Sequence, residues 1–328
     1  MDNNAPMEMS STASSATGSQ PLDGLRRHMR RVLIGQDQVV EQVLICLLAG
    51  GHALVEGVPG LGKTRLVKAL ATACGGSFNR LQFTPDLMPS DIVGHAMFNA
   101  STSEFSLRKG PIFANFVVAD EINRAPAKTQ SAMLEAMEER QVSLEGESLA
   151  LPAPFMVLAT QNPVDHDGTY DLPQAQFDRF LMKLVIEYPA FEDEVAVVQA
   201  AASGKNHESI STTEVISLEL LKRLQVQVAT VHLDKEVAAY AVRLATATRQ
   251  WPGLEYGAGP RASMALVAAG RAHAILQARD HLLPEDIKAV AVPVLQHRLG
   301  LSAEMEIQGS SVPQVLTQLI DSVEAPRQ

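Results

Sequence analysis

The strongest constraint on the fold of this chain is a glycine-rich loop between a strand-like segment and a helix-like segment. Residues 57–64 have the sequence GVPGLGKT, which fits the phosphate-loop pattern G-x-x-x-x-G-K-[ST] at every fixed position. Glycines let successive backbone N–H groups turn toward an anion. Lys63 can reach the terminal phosphates of a nucleotide, and the hydroxyl of Thr64 can ligate Mg²⁺. The loop therefore predicts a nucleotide phosphate site.

The segments around the loop predict an α/β fold. Residues 52–56 are typical of a buried strand that leads into the loop, and residues 64–73 of a helix whose N-terminus faces the phosphates. Further apolar runs predict strands, and segments with helical apolar spacing separate several of them. These strands lie at 78–83, 116–121, 155–160 and 181–187. Five apolar strands that alternate with helices predict a parallel five-stranded sheet between helices.

The pattern changes near Pro189, after which the apolar spacing is mostly helical. Ala-rich helical segments are expected at 195–202, 236–249 and 262–279, and another helix begins at 284. Two hairpins are expected earlier in the chain, over 95–109 and 141–151. The predicted domains are a disordered tail over 1–21, a nucleotide-binding α/β domain over 22–189 and a smaller all-helical domain over 190–328.

Composition excludes several classes of protein. The 37 acidic and 27 basic residues give a formal net charge of −10, which argues against a nucleic-acid surface. The first twenty residues lack a basic segment and an apolar run, so they are expected to be a disordered tail and not a secretion signal. No apolar stretch approaches 18 residues, so no membrane span is expected. Cys46 and Cys74 show no C-x-x-C spacing, which favours buried free thiols in a reducing cytoplasm.

Two acids follow a buried strand at the position where a phosphate loop needs them. Asp120 and Glu121 come directly after the apolar run 116–119. The first acid can complete the Mg²⁺ shell, and the second can act as general base toward an attacking water. The alternative is a solvated acidic pair at the end of a strand, which explains the polarity of the pair but not its placement.

Three further polar residues are candidates for the same site. Asn162 ends the next strand, where an amide could orient water and contact a γ-phosphate, although asparagine before proline is often a turn residue. Arg179 is expected at the rim of the sheet, and its alternative role is a surface charge or an ion pair with Asp178. Arg261 lies in the first turn of a helix, where a cation opposes the helix dipole. An anionic phosphate nearby would relieve that conflict.

In this order, these features resemble an AAA+ ATPase, and longer strings narrow the resemblance to the MoxR family. The resemblance covers about residues 22–320 and is most specific up to residue 181. The strings that carry it are GHALVEGVPGLGKT (51–64), QFTPDLMPSD (82–91), GPIFAN (110–115), ADEINRAPAKTQ (119–130), LEAMEE (134–139), ATQNP (159–163) and DRF (178–180).

The resemblance implies which residues bind the nucleotide. Asp120 would be the Walker B aspartate, which holds Mg²⁺ together with Thr64. The turn before a helix-like stretch over 38–49 would lie against adenine, through Ile34, Gly35 and Gln36. The Walker A loop and the residue after it would bind the phosphates of ATP, through Gly57, Val58, Pro59, Gly60, Leu61, Gly62, Lys63, Thr64 and Arg65.

The resemblance also implies catalytic roles. Glu121 would be the general base and Asn162 the first sensor. Arg179 would be the arginine finger, acting on ATP bound by the neighbouring subunit, and Arg261 the second sensor, carried by the helical lid. Two more arginines could approach the same subunit interface, namely Arg124 and Arg140.

As a function, the resemblance implies ATP hydrolysis in a homo-oligomeric ring, usually a hexamer, with both hairpins near its pore. Such rings remodel or mature client protein complexes, for instance by inserting a metal or cofactor, often with a von Willebrand A-domain partner. Alternatives are a small-molecule kinase, a magnesium-chelatase-like ATPase subunit and a nucleotide-dependent regulatory scaffold without turnover. The Asp120–Glu121 pair and the lid that carries Arg261 disfavour the kinase. Intact Glu121, Asn162 and Arg179 disfavour the scaffold.

Overall fold

The computed structural model of the chain describes residues 16–58, 60–99, 103–161, 170, 172–202 and 215–326. Its strands are β1 (Ala53–Gly57), β2 (Phe78–Gln82), β3 (Gly94–Asn99), β4 (Glu104–Lys109), β5 (Phe116–Asp120), β6 (Gln141–Leu144), β7 (Glu147–Ala150), β8 (Met156–Gln161), β9 (Met182–Ile186), β10 (Leu254–Tyr256) and β11 (Gly300–Leu301). Its helices are α1 (Ala16–Val32), α2 (Asp37–Leu48), α3 (Lys63–Ala73), α4 (Pro89–Val93), α5 (Ala127–Glu139), α6 (Gln174–Phe177), α7 (Phe191–Ala202), α8 (Leu218–Thr230), α9 (Lys235–Ala247), α10 (Pro260–Leu276), α11 (Pro284–Leu295), α12 (Ala303–Ile307) and α13 (Val312–Ser322).

The five predicted apolar strands form one sheet in the order β2-β5-β8-β1-β9. Every pairing is parallel, and Val55 of β1 lies beside Thr160 of β8 and Leu184 of β9. All five residues of β5 are buried, as expected of a strand covered on both faces. The carboxyl ends of β1, β5 and β8 therefore meet at one edge of the sheet, and the predicted α/β fold class is confirmed.

Two predicted hairpins are present, as the pairs β3–β4 and β6–β7. The second half of the chain is mostly helical, but it is not all-helical. Leu254 of β10 pairs with Leu301 of β11 in a short antiparallel ladder. Helix α1 begins at Ala16, so it overlaps the predicted disordered tail over residues 16–21.

The helical region packs directly on the α/β region. Helices α8 and α10 lie against α2, and α11 lies against β9. Leu44 of α2 and Leu266 of α10 are both fully buried in one continuous apolar cluster. The two predicted domains therefore share part of their core, which fixes the lid against the strand that follows Arg179.

A buried histidine joins β1, β8 and α5. His52 is 5 % exposed and precedes β1. Its Nδ1 accepts the N–H of Val157 at 3.0 Å, so Nε2 carries the ring proton and donates to the carbonyl of Met137 at 3.1 Å. Burial lowers the pKa of His52 from its usual 6.5 to about 4.

We expect the free energy of unfolding to fall as the pH is lowered from about 6.5 toward 4. The unfolded chain binds a proton at this imidazole below pH 6.5, and the folded chain does not until about pH 4. The difference corresponds to about 3 kcal/mol that is present above pH 6.5 and lost on acidification. Urea unfolding between pH 7.5 and 4.5 measures this slope. The slope should be smaller in His52→Gln, and equal slopes would contradict the assignment.

Candidate nucleotide site

The phosphate loop connects β1 to α3, as predicted. Gly60 and Gly62 have φ of +91° and +82°, a region that residues with a β-carbon adopt at a cost. A β-carbon at Gly60 would meet nothing within 4 Å, so the backbone angle and not space requires glycine there. Lys63 Nζ donates to the carbonyl of Gly57. Burial lowers the pKa of Lys63, and the charges of Asp120 and Glu121 oppose that shift. Pro59 lies outside the described residues.

A cleft of about 390 Å³ opens beside this loop. It brings Lys63, Thr64 and Arg65 together with Asp120 and Glu121, as the sequence predicts. Four polar residues to which the sequence assigned no role also line the cleft: Arg80, Gln82, Thr160 and Gln161.

Asp120 is the centre of the polar network in the cleft. It is 6 % exposed, and its Oδ2 accepts the hydroxyl of Thr64 at 3.4 Å and Nε of Arg80 at 2.6 Å. Its Oδ1 accepts the hydroxyl of Thr160 at 3.2 Å. The two predicted metal ligands, Thr64 and Asp120, are thus adjacent oxygen donors at the mouth of a phosphate loop. Mg²⁺ prefers oxygen ligands of this kind, so the pair fits the ion.

Glu121 is held in a different environment from Asp120. Its φ of +57° is unusual for a residue with a side chain and marks local backbone strain. Its N–H donates to Thr160 Oγ1 at 2.9 Å, which keeps the turn in place. Its Oε2 accepts Gln82 Nε2 at 2.9 Å and lies 3.2 Å from Arg124 Nε. The two acids therefore end one strand but present one buried and one half-exposed carboxylate.

The sequence contains a signal for two of the missed residues. Arg80 and Gln82 alternate along β2, and Gln82 lies in register with Asp120 of β5. Polar residues two apart near the carboxyl end of a strand point to the same face of the sheet. Here that face carries the acids.

The predicted adenine residues border a second cavity, of about 530 Å³. Gly35 and Gln36 line it from the turn before α2, whereas Ile34 does not. The opposite wall comes from the lid, including Gln296 and Pro313. Gln36 Nε2 donates to the carbonyl of Glu187 at 2.8 Å. A β-carbon at Gly62 would lie 3.5 Å from Leu33 Cδ1, so this turn adjoins the phosphate loop.

The two predicted arginines of the site lie elsewhere and share one carboxylate. Arg179 Nε is 3.0 Å from Glu138 Oε2, and Arg261 Nη2 is 2.7 Å from Glu138 Oε1. The hydrogen bond from Arg261, with the charge of Arg179, lowers the pKa of Glu138. Neither arginine lines the phosphate cleft.

This placement changes the expectation for Arg261. In the isolated subunit it pairs with α5 and not with the phosphate loop of its own chain. Of the other arginines, Arg140 donates to the carbonyl of Gly50 at 2.7 Å, and Arg124 lies beside Glu121. Asn162 lies outside the described residues.

The chain is similar to proteins of one family along most of its length. Residues 52–182 match the model of the ATPase family associated with various cellular activities (AAA), and residues 246–319 match the AAA lid domain. The chain is 41 % identical over 308 residues to Chaperone MoxR1 of Mycobacterium tuberculosis. This match covers 91 % of this chain and 81 % of that protein. The chain belongs to the MoxR family of AAA ATPases.

Other proteins are similar to the chain over most of its length. The chain is 44 % identical over 301 residues to the uncharacterized protein YeaC of Bacillus subtilis, covering 92 % of this chain and 93 % of that protein. It is 30 % identical over 325 residues to protein MoxR of Methylorubrum extorquens, covering 92 % and 94 %. A solved structure from Cytophaga hutchinsonii, to which ATPase activity is ascribed, superposes with a TM-score of 0.87 at 37 % identity, covering 95 % of this chain and 97 % of that one.

None of the helices in the described part of the chain is both long enough and apolar enough to cross a membrane.

Proposed function

We propose that this chain hydrolyses ATP, with Mg²⁺, as one subunit of a ring that remodels client protein complexes. One observation is the main support for ATP hydrolysis. A phosphate-binding lysine, a pair of metal-binding oxygens and a separately held glutamate line the same cleft, at Lys63, Thr64, Asp120 and Glu121. Each is a group that phosphoryl transfer to water needs.

The residues of the cleft have separate roles in hydrolysis. Lys63 and the N-terminal N–H groups of α3 bind the phosphates. Thr64 and Asp120 hold Mg²⁺, which neutralises charge on the phosphates when it is bound. Glu121 takes the proton of the attacking water, and Thr160 and Gln82 fix its backbone and carboxylate. Asn162 orients that water.

The positions of two arginines outside the cleft support the ring. Among the described residues, Lys63, Arg65 and Arg80 are the cations that line it, and Arg80 is paired with Asp120. Arg179 and Arg261 lie outside the cleft and together on Glu138. We assign both to the ATP of a neighbouring subunit, in a homo-oligomer that is a hexamer. Hydrolysis would then depend on assembly.

The client is a protein, bound near the β3–β4 hairpin. Phe98 and Phe105 are 55 % and 75 % exposed, and their ring centroids are 5.1 Å apart. An exposed aromatic pair of this kind favours contact with another polypeptide. The relative named Chaperone MoxR1 supports a chaperone-like role. We further propose that the client receives a metal or cofactor, that a von Willebrand A-domain protein is a partner, and that the protein is cytoplasmic.

The hydrolysis proposal is tested by the Lys63→Ala variant. We expect wild-type protein with ATP and Mg²⁺ to release phosphate, and Lys63→Ala to lose both nucleotide affinity and turnover because the terminal phosphates lose their cation. Phosphate release and binding of a fluorescent ATP analogue measure the two effects. Lys68→Ala, which changes an exposed lysine on the same helix, should behave like wild type. Absence of Mg²⁺-dependent turnover in the assembled wild-type protein would count against the proposal.

A further inference from the structure

A three-residue segment of the lid holds the chain on both sides of Arg179. The segment follows α11 and consists of Gln296, His297 and Arg298. Each of the three side chains bonds to the stretch 178–183, which carries Arg179 and begins β9. The proposed function assigns no role to these three residues.

Arg298 makes most of these contacts. It is 4 % exposed, and its Nε donates to Asp178 Oδ1 at 2.9 Å. Its Nη2 donates to the carbonyl of Phe180 at 2.7 Å, and its Nη1 to that of Leu181 at 3.3 Å. The rigid guanidinium fork thus fixes the residues immediately before and after Arg179. A buried arginine whose contacts bracket a reactive arginine restricts where that second side chain can point.

The two neighbours of Arg298 extend the attachment. His297 is 7 % exposed, burial keeps its pKa well below the usual value, and its Nε2 lies 3.0 Å from the carbonyl of Phe180. The neutral ring donates that bond. Gln296 Nε2 donates to the carbonyl of Lys183 at 2.6 Å. Gln296 also lines the cavity beside Gly35 and Gln36, where adenine is expected. One short segment therefore lines the base cavity of a subunit and bonds to the residues on both sides of Arg179.

We propose that Gln296, His297 and Arg298 are positioning residues that set the placement of Arg179 according to the lid of their own subunit. This inference rests on the proposed function, because Arg179 is taken to act on the ATP of the next subunit. A nucleotide that fills the base cavity contacts Gln296 and shifts this segment, which in turn shifts the residues on either side of Arg179. The state of one site thereby controls hydrolysis at the neighbouring site.

The test uses Arg298→Met in the full-length protein. We expect the turnover number to fall about 100-fold, since a misplacement of about 1 Å can cost that much. Affinity for the same fluorescent ATP analogue should stay within about twofold of wild type, because the cleft is untouched. In Arg179→Ala, the added Arg298→Met should cost little more, because both changes remove the same group.

A mixing experiment separates positioning from mere support of the fold. Lys63→Ala subunits keep an intact Arg179, and Arg298→Met subunits keep an intact cleft. In rings assembled at random from equal amounts, about one interface in four joins the two intact halves. We expect the mixture to exceed either variant alone. If Arg298 only supports the fold of its own subunit, its cleft fails too and the mixture stays inactive, which overturns the inference.

Two further experiments distinguish failure of the trans role of Arg179 from failure of the positioning role of Arg298. If Lys63→Ala and Arg179→Ala also fail to complement in confirmed assemblies, the trans role of Arg179 is wrong, and the inference fails with it. If that pair complements and the Arg298→Met pair does not, only the positioning role is wrong. Should Arg298→Met not fold, Arg298→Lys keeps the charge opposite Asp178 but lacks the fork. It should show a smaller loss with the same complementation, and unchanged turnover would overturn the inference.

Discussion

The Glu121→Gln variant should bind ATP as tightly as wild type and hydrolyse it at least about 100-fold more slowly. General-base catalysis contributes about 10²–10⁴-fold, and an amide cannot accept the proton of the attacking water. The amide has the size of the carboxylate, and the bond from the N–H of residue 121 to Thr160 remains. The cleft is therefore expected to keep its shape. Phosphate release under single-turnover conditions, together with binding of the fluorescent analogue, measures both effects.

A matched control makes the same chemical change away from the cleft. Glu236→Gln alters an exposed glutamate on α9, and it should leave turnover and binding unchanged. A Glu121→Gln protein that turns over ATP at the wild-type rate would refute the general-base assignment. If Glu121→Gln binds ATP without hydrolysing it, as expected, the ATP-bound variant can also be used to capture the client.

The strands and the phosphate loop were predictable because local patterns determine them. The apolar run at 116–119 is typical of a strand buried in a covered parallel sheet. The loop needs glycine at 60 and 62 because φ is positive at both positions. No helix was predicted at α1, whose first residues fall within the predicted tail. Its buried residues recur at helical spacing, namely Leu22, Leu25, Met29 and Val32.

The placement of Arg261 was not predictable from local sequence. Its helix, α10, is positioned by packing on α2, and that packing brings the arginine to Glu138 and Arg179. The ladder β10–β11 is too short to leave a periodic pattern. Thr160 lies within the string ATQNP, but its role was not predictable because its bond to Asp120 depends on the register that sets β8 beside β5. Tertiary register and packing decided each of these positions.

Mixed rings of Lys63→Ala and Arg179→Ala subunits should regain activity that neither variant has alone. A trans arginine can be worth about 10³–10⁵-fold in rate, so each pure ring is expected to be nearly inactive. In the mixture, the intact cleft of an Arg179→Ala subunit meets the intact arginine of a Lys63→Ala subunit. Random assembly from equal amounts makes about one interface in four of this kind. Phosphate release at a series of mixing ratios should peak near equal amounts.

The control for this experiment is a pair in which both changes lie in the same half of the site. Lys63→Ala and Glu121→Gln both damage the cleft of their own subunit. Every interface in their mixture therefore retains one defect in the cleft, and no recovery is expected at any ratio. Recovery in the Arg179 pair alone places that arginine in the neighbouring subunit. Failure of the Arg179 pair in rings whose assembly is verified by native mass spectrometry would instead place Arg179 in cis or outside the reaction. In the second case, the ion pair with Glu138 would leave Arg179 a structural role.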